Sequence, residues 1–168
     1  MKENEFVMAI DQGTTSSRTI LFDHQYSIKS MSQIELTQYF PNPGWVEHSP
    51  EEIWQSTIKT AKKAMRIHDI AANQVTSVGI SNQRETTILW NKDTGKPIYN
   101  AIVWQDRRTS DYCNTLKTQG LEKIITEKTG LLLDPYFSAS KIAWILENVD
   151  GAFAAAKNGQ LAFGNVDS

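Results

Sequence analysis

The stretch Asp11-Gln12-Gly13-Thr14-Thr15-Ser16-Ser17-Arg18 packs more reactive chemistry than any other part of the chain. Four consecutive hydroxyl residues follow a glycine. Gly13 permits a positive φ and lets the backbone approach a ligand closely. Thr14, Thr15 and Ser16 then bring hydroxyl donors beside backbone N–H groups, an arrangement that can cradle phosphate oxygens. Arg18 adds a forked cationic donor. Asp11 can orient waters on Mg2+, a cation that keeps much of its hydration shell. The same residues also suit a polar β-hairpin with an aspartate at a strand end, since Ser, Thr and Gly are ordinary turn residues. The Gly-x4-Gly-Lys-Ser/Thr spacing of a P-loop is absent.

A second concentration is Ser81-Asn82-Gln83-Arg84-Glu85-Thr86. Arg84 and Glu85 set a donor beside an acceptor, the combination a polyol hydroxyl needs because it both donates and accepts. Such a site also rejects analogues that lack the hydroxyl. The plainer alternative is a surface turn with an ion pair worth under about 1 kcal/mol. Trp104 stands next to Gln105, Asp106, Arg107 and Arg108. An indole can wall the C–H face of a small polyol, or it can simply belong to the core. Tyr136, in Asp134-Pro135-Tyr136-Phe137, can present its hydroxyl to a ligand or pack. His24, His48 and His68 are scattered without metal-ligand spacing, and no Ser/His/Asp set can be argued.

These residues need elements to carry them. Phe6 to Ile10 is a short apolar run that suits a buried strand, and Arg18 to Phe22 is a second. Ser27 to Tyr39 partly alternates and reads as a third, so an antiparallel meander is expected. Pro41-Asn42-Pro43-Gly44 is a loop. Ser49-Pro50-Glu51-Glu52 announces a helix through a cap, a proline at the first position and a capping box. Trp54, Ile58, Ala61 and Met65 give that helix one apolar face. Val75 to Ser81 reads as a strand, and Thr86–Trp90 with Ile98–Trp104 as a hairpin around residues 91–95. Helices are expected at 109–118, 121–128 and 140–148, with Gly130 ending the second. Leu161 to Gly164 is strand-like. The pattern is α/β.

Composition narrows the classes. The chain has 168 residues, the length of one ordinary domain. Its 17 basic and 19 acidic residues leave a net charge of −2, so no basic field invites nucleic acid. Five Trp, five Tyr and six Phe argue against disorder. The lone Cys113, expected on a helix without chemistry, precludes an internal disulfide and fits a reducing compartment. No apolar run approaches a membrane span, and the polar start is no signal peptide. A cytoplasmic protein is expected.

Several of these stretches together resemble the FGGY carbohydrate kinase family. They are Asp11 to Arg18, residues 43–48, residues 82–87, residues 94–105, Arg107-Arg108-Thr109 and residues 134–138. The resemblance implies a ribonuclease H-like (actin-like ATPase) α/β fold, a mixed sheet with flanking helices, in the first of two domains around a cleft. It implies that Thr14, Thr15, Ser16 and Arg18 meet the phosphates of ATP and that Asp11 helps hold Mg2+. Arg84, Glu85 and Tyr136 would hydrogen-bond the acceptor, with Trp104 against its carbons. The Asn82-Gln83-Arg84-Glu85-Thr86 segment is similar to that of the branch acting on glycerol rather than on pentuloses or gluconate. The implied reaction is ATP-dependent phosphorylation of glycerol to sn-glycerol 3-phosphate, by a full-length enzyme that is homo-oligomeric. Family members are considerably longer. On this reading residues 1–168 are an incomplete N-terminal domain, inactive alone, with the catalytic base beyond Ser168. Two other readings remain: a non-catalytic actin-like nucleotide-binding module, or a family member with another polyol or sugar as acceptor.

Overall fold

The structure is a computed structural model that describes residues 2–168. In chain order the strands are β1 (Phe6–Gln12), β2 (Ser16–Phe22), β3 (Ile28–Glu35), β4 (Glu47–His48), β5 (Val75–Asn82), β6 (Ile88–Asn91), β7 (Ala101–Ile102) and β8 (Leu161–Gly164). The helices are α1 (Pro50–Arg66), α2 (Ser110–Thr118), α3 (Glu122–Thr129), α4 (Ser138–Asn148) and α5 (Ala152–Lys157). The chain divides into two compact units. One takes Met1–Thr37, Ser49–Gln83 and Val166–Ser168; the other takes Gln38–His48 and Arg84–Asn165.

The first unit holds a four-stranded sheet in the order β3-β2-β1-β5. The first three strands form the expected antiparallel meander, and β5 joins parallel to β1. A parallel neighbour requires a crossover, and α1 supplies it. The apolar core is Phe6, Met8, Leu21, Ala64 and Ile70, with Ile10, Ala61, Met65 and Val75 packed against it.

Helix α1 starts where the sequence indicates. Ser49 Oγ accepts the Glu52 N–H at 3.3 Å, and Pro50 takes the first helical position. Glu52 turns its carboxylate to the Thr37 N–H and hydroxyl, at 2.9 and 3.0 Å. The buried face matches the expected one only in part: Ala61 and Met65 pack against the core. Trp54 is 59% exposed, whereas Ile53, Ser56, Thr57, Thr60 and Ala64 are buried. The small side chains let the helix lie close to the sheet, and their hydroxyls interlock with it. Ser56 meets Ser17 at 2.8 Å, Thr60 meets Thr19 at 3.0 Å, and Gln12 donates to Thr57 at 3.4 Å. The helical hydroxyls also donate to carbonyls one turn back, so burial does not strand them.

The second unit pairs β4 with β7 and β6 with β8, both antiparallel. The expected hairpin of 86–90 with 98–104 is reduced to isolated bridges, Thr87 with Ile102 and Trp90 with Pro97. Longer-range partners, Glu47–His48 and Leu161–Gly164, take the ladders instead. Helix α4 closes the core, where Ile145 packs with Leu89 and Ile102. Gly130, at φ 73°, ends α3 as expected, and its N–H meets the Thr126 carbonyl at 2.8 Å. Helix α5 and strand β4 are additions to the expected elements.

A buried ionic cluster braces this unit. Arg108 has a fully buried side chain bonded to Glu47 Oε1 and Asp106 Oδ2, each at 2.8 Å. Its guanidinium lies 3.8 Å from the Trp45 ring centroid and 4.5 Å from that of Trp144. Asp106 also accepts the Val46 N–H at 2.6 Å, and Glu47 accepts from Tyr99 and Asn100. Among the described residues, no helix is long and apolar enough to cross a membrane.

Two stability outcomes follow. Replacing Thr19 by Val removes one partner of a buried hydroxyl pair and is expected to cost about 1–2 kcal/mol, whereas Thr19→Val with Thr60→Val costs less than the sum of the singles. Urea unfolding of the singles and the double reads this; strict additivity contradicts the interlock. Arg108→Leu strands two buried carboxylates and is expected to cost about 3–5 kcal/mol, read as a lowered unfolding midpoint.

Candidate functional site

In the first unit, β1 and β2 are joined by a turn closed by the Gly13 N–H donating to the Ser16 carbonyl at 2.9 Å. Gly13 does not use the positive φ that glycine permits. A Cβ there would stand 3.2 Å from the Ser16 carbonyl oxygen, so the glycine serves close backbone approach. Asp11 and Arg18 face each other in the β1–β2 register, and their side chains bond at 2.6 Å. Both are about 40% exposed, at 39% and 41%. Thr15 is exposed at the turn, and Thr14 and Ser16 are half-buried. The fourth hydroxyl of the run, Ser17, is buried against α1 and belongs to the core.

The parallel register brings the end of β5 to this turn. Asn82 pairs with Gln12. The Gln83 N–H donates to the Gln12 carbonyl at 2.7 Å, and Gln83 Nε2 donates to the Gly13 carbonyl at 3.3 Å. Ligand sites in sheets of this kind gather at the carboxyl ends of parallel strands. Within this unit, that end carries Asp11, the hydroxyl turn and Gln83. Among the described residues no group of three or more His, Cys, Asp or Glu could hold a metal. One partly exposed carboxylate at Asp11 still fits Mg2+, which takes one or two protein carboxylates and completes its shell with phosphates and water.

The chain crosses into the second unit between Gln83 and Arg84. Arg84 is exposed. Glu85 adopts φ 67°, a left-handed conformation that costs a side-chain-bearing residue energy. The return is visible in its contacts. Glu85 Oε2 accepts the Ser138 N–H at 3.1 Å and the Ser138 hydroxyl at 2.9 Å. Ser138 is the first residue of α4, whose N-cap Phe137 offers no side-chain acceptor. The Glu85 carboxylate therefore sits at an open helix N-terminus, where N–H groups and dipole both favour an anion.

Two residues before Ser138 stands Tyr136. Its ring packs edge-on against Trp104, centroids 5.8 Å apart, and against Phe137 at 5.1 Å. The Tyr136 N–H donates to Asp134 Oδ1 at 2.8 Å, and the Trp104 N–H to Thr86 Oγ1 at 3.3 Å. Glu85, Trp104 and Tyr136, separated by up to 51 positions in sequence, thus converge around one end of α4.

Sequence reasoning missed Lys141. It is fully buried, and its ammonium donates to the carbonyls of Pro135, at 2.8 Å, Tyr136 and Phe137, at 3.4 Å. Burial pushes its pKa down to about 8, against the pull of Glu85, Asp106, Asp134 and Cys113. The available signal was a lysine beside the apolar positions Ile142, Ile145 and Leu146.

Residues 6–168 match the FGGY family of carbohydrate kinases, N-terminal domain. The chain belongs to that family. It is 60% identical over 163 residues to the glycerol kinase of Marinomonas sp. (strain MWYL1), covering 97% of this chain and 33% of that protein. It is 58% identical over 166 residues to the glycerol kinase of Shewanella sp. (strain ANA-3), covering 99% of this chain and 34% of that protein. Among solved structures, Plasmodium falciparum glycerol kinase with ADP superposes with a TM-score of 0.89 at 33% identity, over 97% of this chain and 33% of that one. The chain spans about a third of the length of the relatives it matches.

The depressed Lys141 ammonium has a measurable consequence. An ordinary lysine in the unfolded chain titrates near 10.5. Between pH 8 and 10.5 the unfolded chain holds a proton that the folded one has released, so stability rises with pH through that window. Relative to Lys141→Met, the unmodified chain is expected to gain on the order of 3 kcal/mol from pH 8 to 10.5. Parallel urea-midpoint profiles for the two proteins contradict the burial of a titrating ammonium.

Proposed function

We propose that this chain carries the acceptor-binding and part of the phosphate-binding machinery of a glycerol kinase, transferring the γ-phosphoryl group of ATP to glycerol. The observation that carries the reading is the convergence of Glu85, Trp104 and Tyr136 at the start of α4. The high identity to glycerol kinases over almost the whole chain supports the choice of acceptor.

A three-carbon triol needs acceptors, donors and a wall for its C–H face. Glu85 supplies an acceptor already oriented by Ser138. Arg84 supplies donors, and Tyr136 a hydroxyl. The Trp104 indole, held edge-on to Tyr136, offers the apolar wall. A carboxylate fixed in advance loses little freedom on binding, so more of each hydrogen bond appears as affinity.

For the nucleotide, we assign phosphate contacts to Thr14, Thr15, Ser16 and Arg18. Asp11, bonded to Arg18, would orient Mg2+ through its waters. Bound Mg2+ would neutralise charge on the phosphates. In the reaction, the terminal glycerol oxygen forms a bond to the γ-phosphorus. The bond from that phosphorus to the β–γ bridging oxygen breaks, and ADP leaves. The hydroxyl proton passes to a base that we assign to none of residues 1–168. Phosphoryl transfer demands chiefly positioning and charge neutralisation, and these residues are assigned to both. The reading carries a cytoplasmic setting, where ATP is at hand, and a homo-oligomeric full-length enzyme.

The test joins this chain, in place of the matching third, to the remainder of the Marinomonas sp. enzyme. The hybrid is expected to phosphorylate glycerol with ATP. Glu85→Ala is expected to raise KM for glycerol about 100-fold while leaving KM for ATP unchanged. Transfer to xylulose or gluconate in preference to glycerol would sink the assignment, as would a Glu85→Ala hybrid indistinguishable from its parent.

A further inference from the structure

Lys141 occupies a position that is electrostatically unfavourable twice over. It is fully buried, and it lies in the first turn of α4, where the helix dipole opposes a cation. The next core residue along the helix, Ile145, is apolar and equally buried, so an apolar side chain would satisfy packing alone. What the lysine adds is three donors. All of its hydrogen bonds end on successive backbone carbonyls, those of Pro135, Tyr136 and Phe137. The carbonyls belong to a turn over Pro135 and Tyr136 that is closed by the Phe137 N–H donating to the Asp134 carbonyl at 3.2 Å. Gathering three of them on one nitrogen fixes the loop's conformation.

We propose that Lys141 is the positioning residue of the acceptor site: its ammonium gathers the loop carbonyls on either side of Tyr136 and thereby sets where the Tyr136 side chain stands. Tyr136 is then held at both ends of its backbone unit. Its N–H rests on Asp134 Oδ1 at 2.8 Å, and its carbonyl rests on Lys141. The ring has only rotation about the side-chain bonds left, and Trp104 and Phe137 restrict that. The same ammonium is stabilised by the charge of Glu85, whose carboxylate is tied to Ser138 three residues earlier on the helix. One buried cation therefore orders the loop between two acceptor contacts without touching the acceptor. A charge-neutral replacement of similar volume withdraws the ammonium from all three carbonyls, leaving Phe137 with the Ser140 hydroxyl at 3.5 Å, and the loop relaxes to find other donors. A Tyr136 hydroxyl free to move must be ordered when the acceptor binds, so the loss appears in affinity for the acceptor.

The inference rests on the reading of Tyr136 and Glu85 as acceptor contacts. Steady-state kinetics of the hybrid kinase separate the two. Lys141→Met is expected to raise KM for glycerol 10-fold or more, leave KM for ATP unchanged and keep kcat within 3-fold. Lys141→Arg, which retains a cation with several donors, is expected to recover most of the loss. In a Tyr136→Phe background, Lys141→Met is expected to add far less, because the contact it positions has already gone. An unchanged KM for glycerol overturns the proposal. So does full additivity with Tyr136→Phe, or failure of both the Met and the Arg variants to fold, which would make Lys141 a structural residue alone. If the unmodified hybrid prefers another polyol, the function proposed above fails, while the KM shift measured on that polyol still decides the role of Lys141.

Discussion

A carboxylate seated at a helix N-terminus organises the second unit. Glu85 leaves a strand-exit segment in a left-handed conformation and places its carboxylate against the N–H and hydroxyl of Ser138. Residues 53 positions apart are thereby joined by charge-assisted hydrogen bonds, which are stronger than neutral ones. The helix gains the acceptor that its own N-cap, Phe137, lacks. The strained backbone at Glu85 persists because the surrounding contacts over-determine it. Residues assigned above to the acceptor lie around this junction. Tyr136 lies two residues before it, Lys141 three residues after, and Thr86, which holds the Trp104 N–H, comes next to Glu85.

The first unit rests on a different device. Its helix approaches the sheet through hydroxyls rather than through large apolar side chains. Ser17 with Ser56 and Thr19 with Thr60 are short polar couples inside a layer that usually excludes them. Each hydroxyl on the helix has a second outlet to a carbonyl one turn back, so the arrangement satisfies its polar atoms while keeping the layers close. Close layers let β1 and β5 finish side by side, with Gln83 tied to the Gln12 and Gly13 carbonyls. The hydroxyl run is thereby shared: Ser17, like Thr19 beyond it, serves the interior, and Thr14, Thr15 and Ser16 remain at the turn.

Arg108 shows how polar the interior of the second unit is. A fully buried guanidinium, two carboxylates and two indole faces form one cluster. Such a cluster contributes little net stability compared with apolar packing, but it tolerates only one arrangement of its partners. It also closes the segment 45–47 onto residues 99–108, the stretch that contains Trp104. The sequence shows Trp45, Glu47, Asp106 and Arg108 plainly, yet nothing in their spacing says that they meet.

Local signals in the chain were sufficient for most elements. Ser49 and Pro50 start α1, Gly130 stops α3, and the apolar runs at 6–10 and 18–22 become β1 and β2, because caps, turns and periodicity act over a few residues. The candidate residues Asp11 to Arg18, Arg84, Glu85, Trp104 and Tyr136 were also legible, as unusual polar groups at strand and loop ends. Tertiary structure decided what depends on distant partners. It paired β6 with β8 rather than with its neighbour, and turned Trp54 outward and Thr60 inward. It drew three carbonyls onto Lys141. Long-range pairing and burial are settled by which surfaces finally meet, and a strand or helix face carries no local mark of its eventual partner.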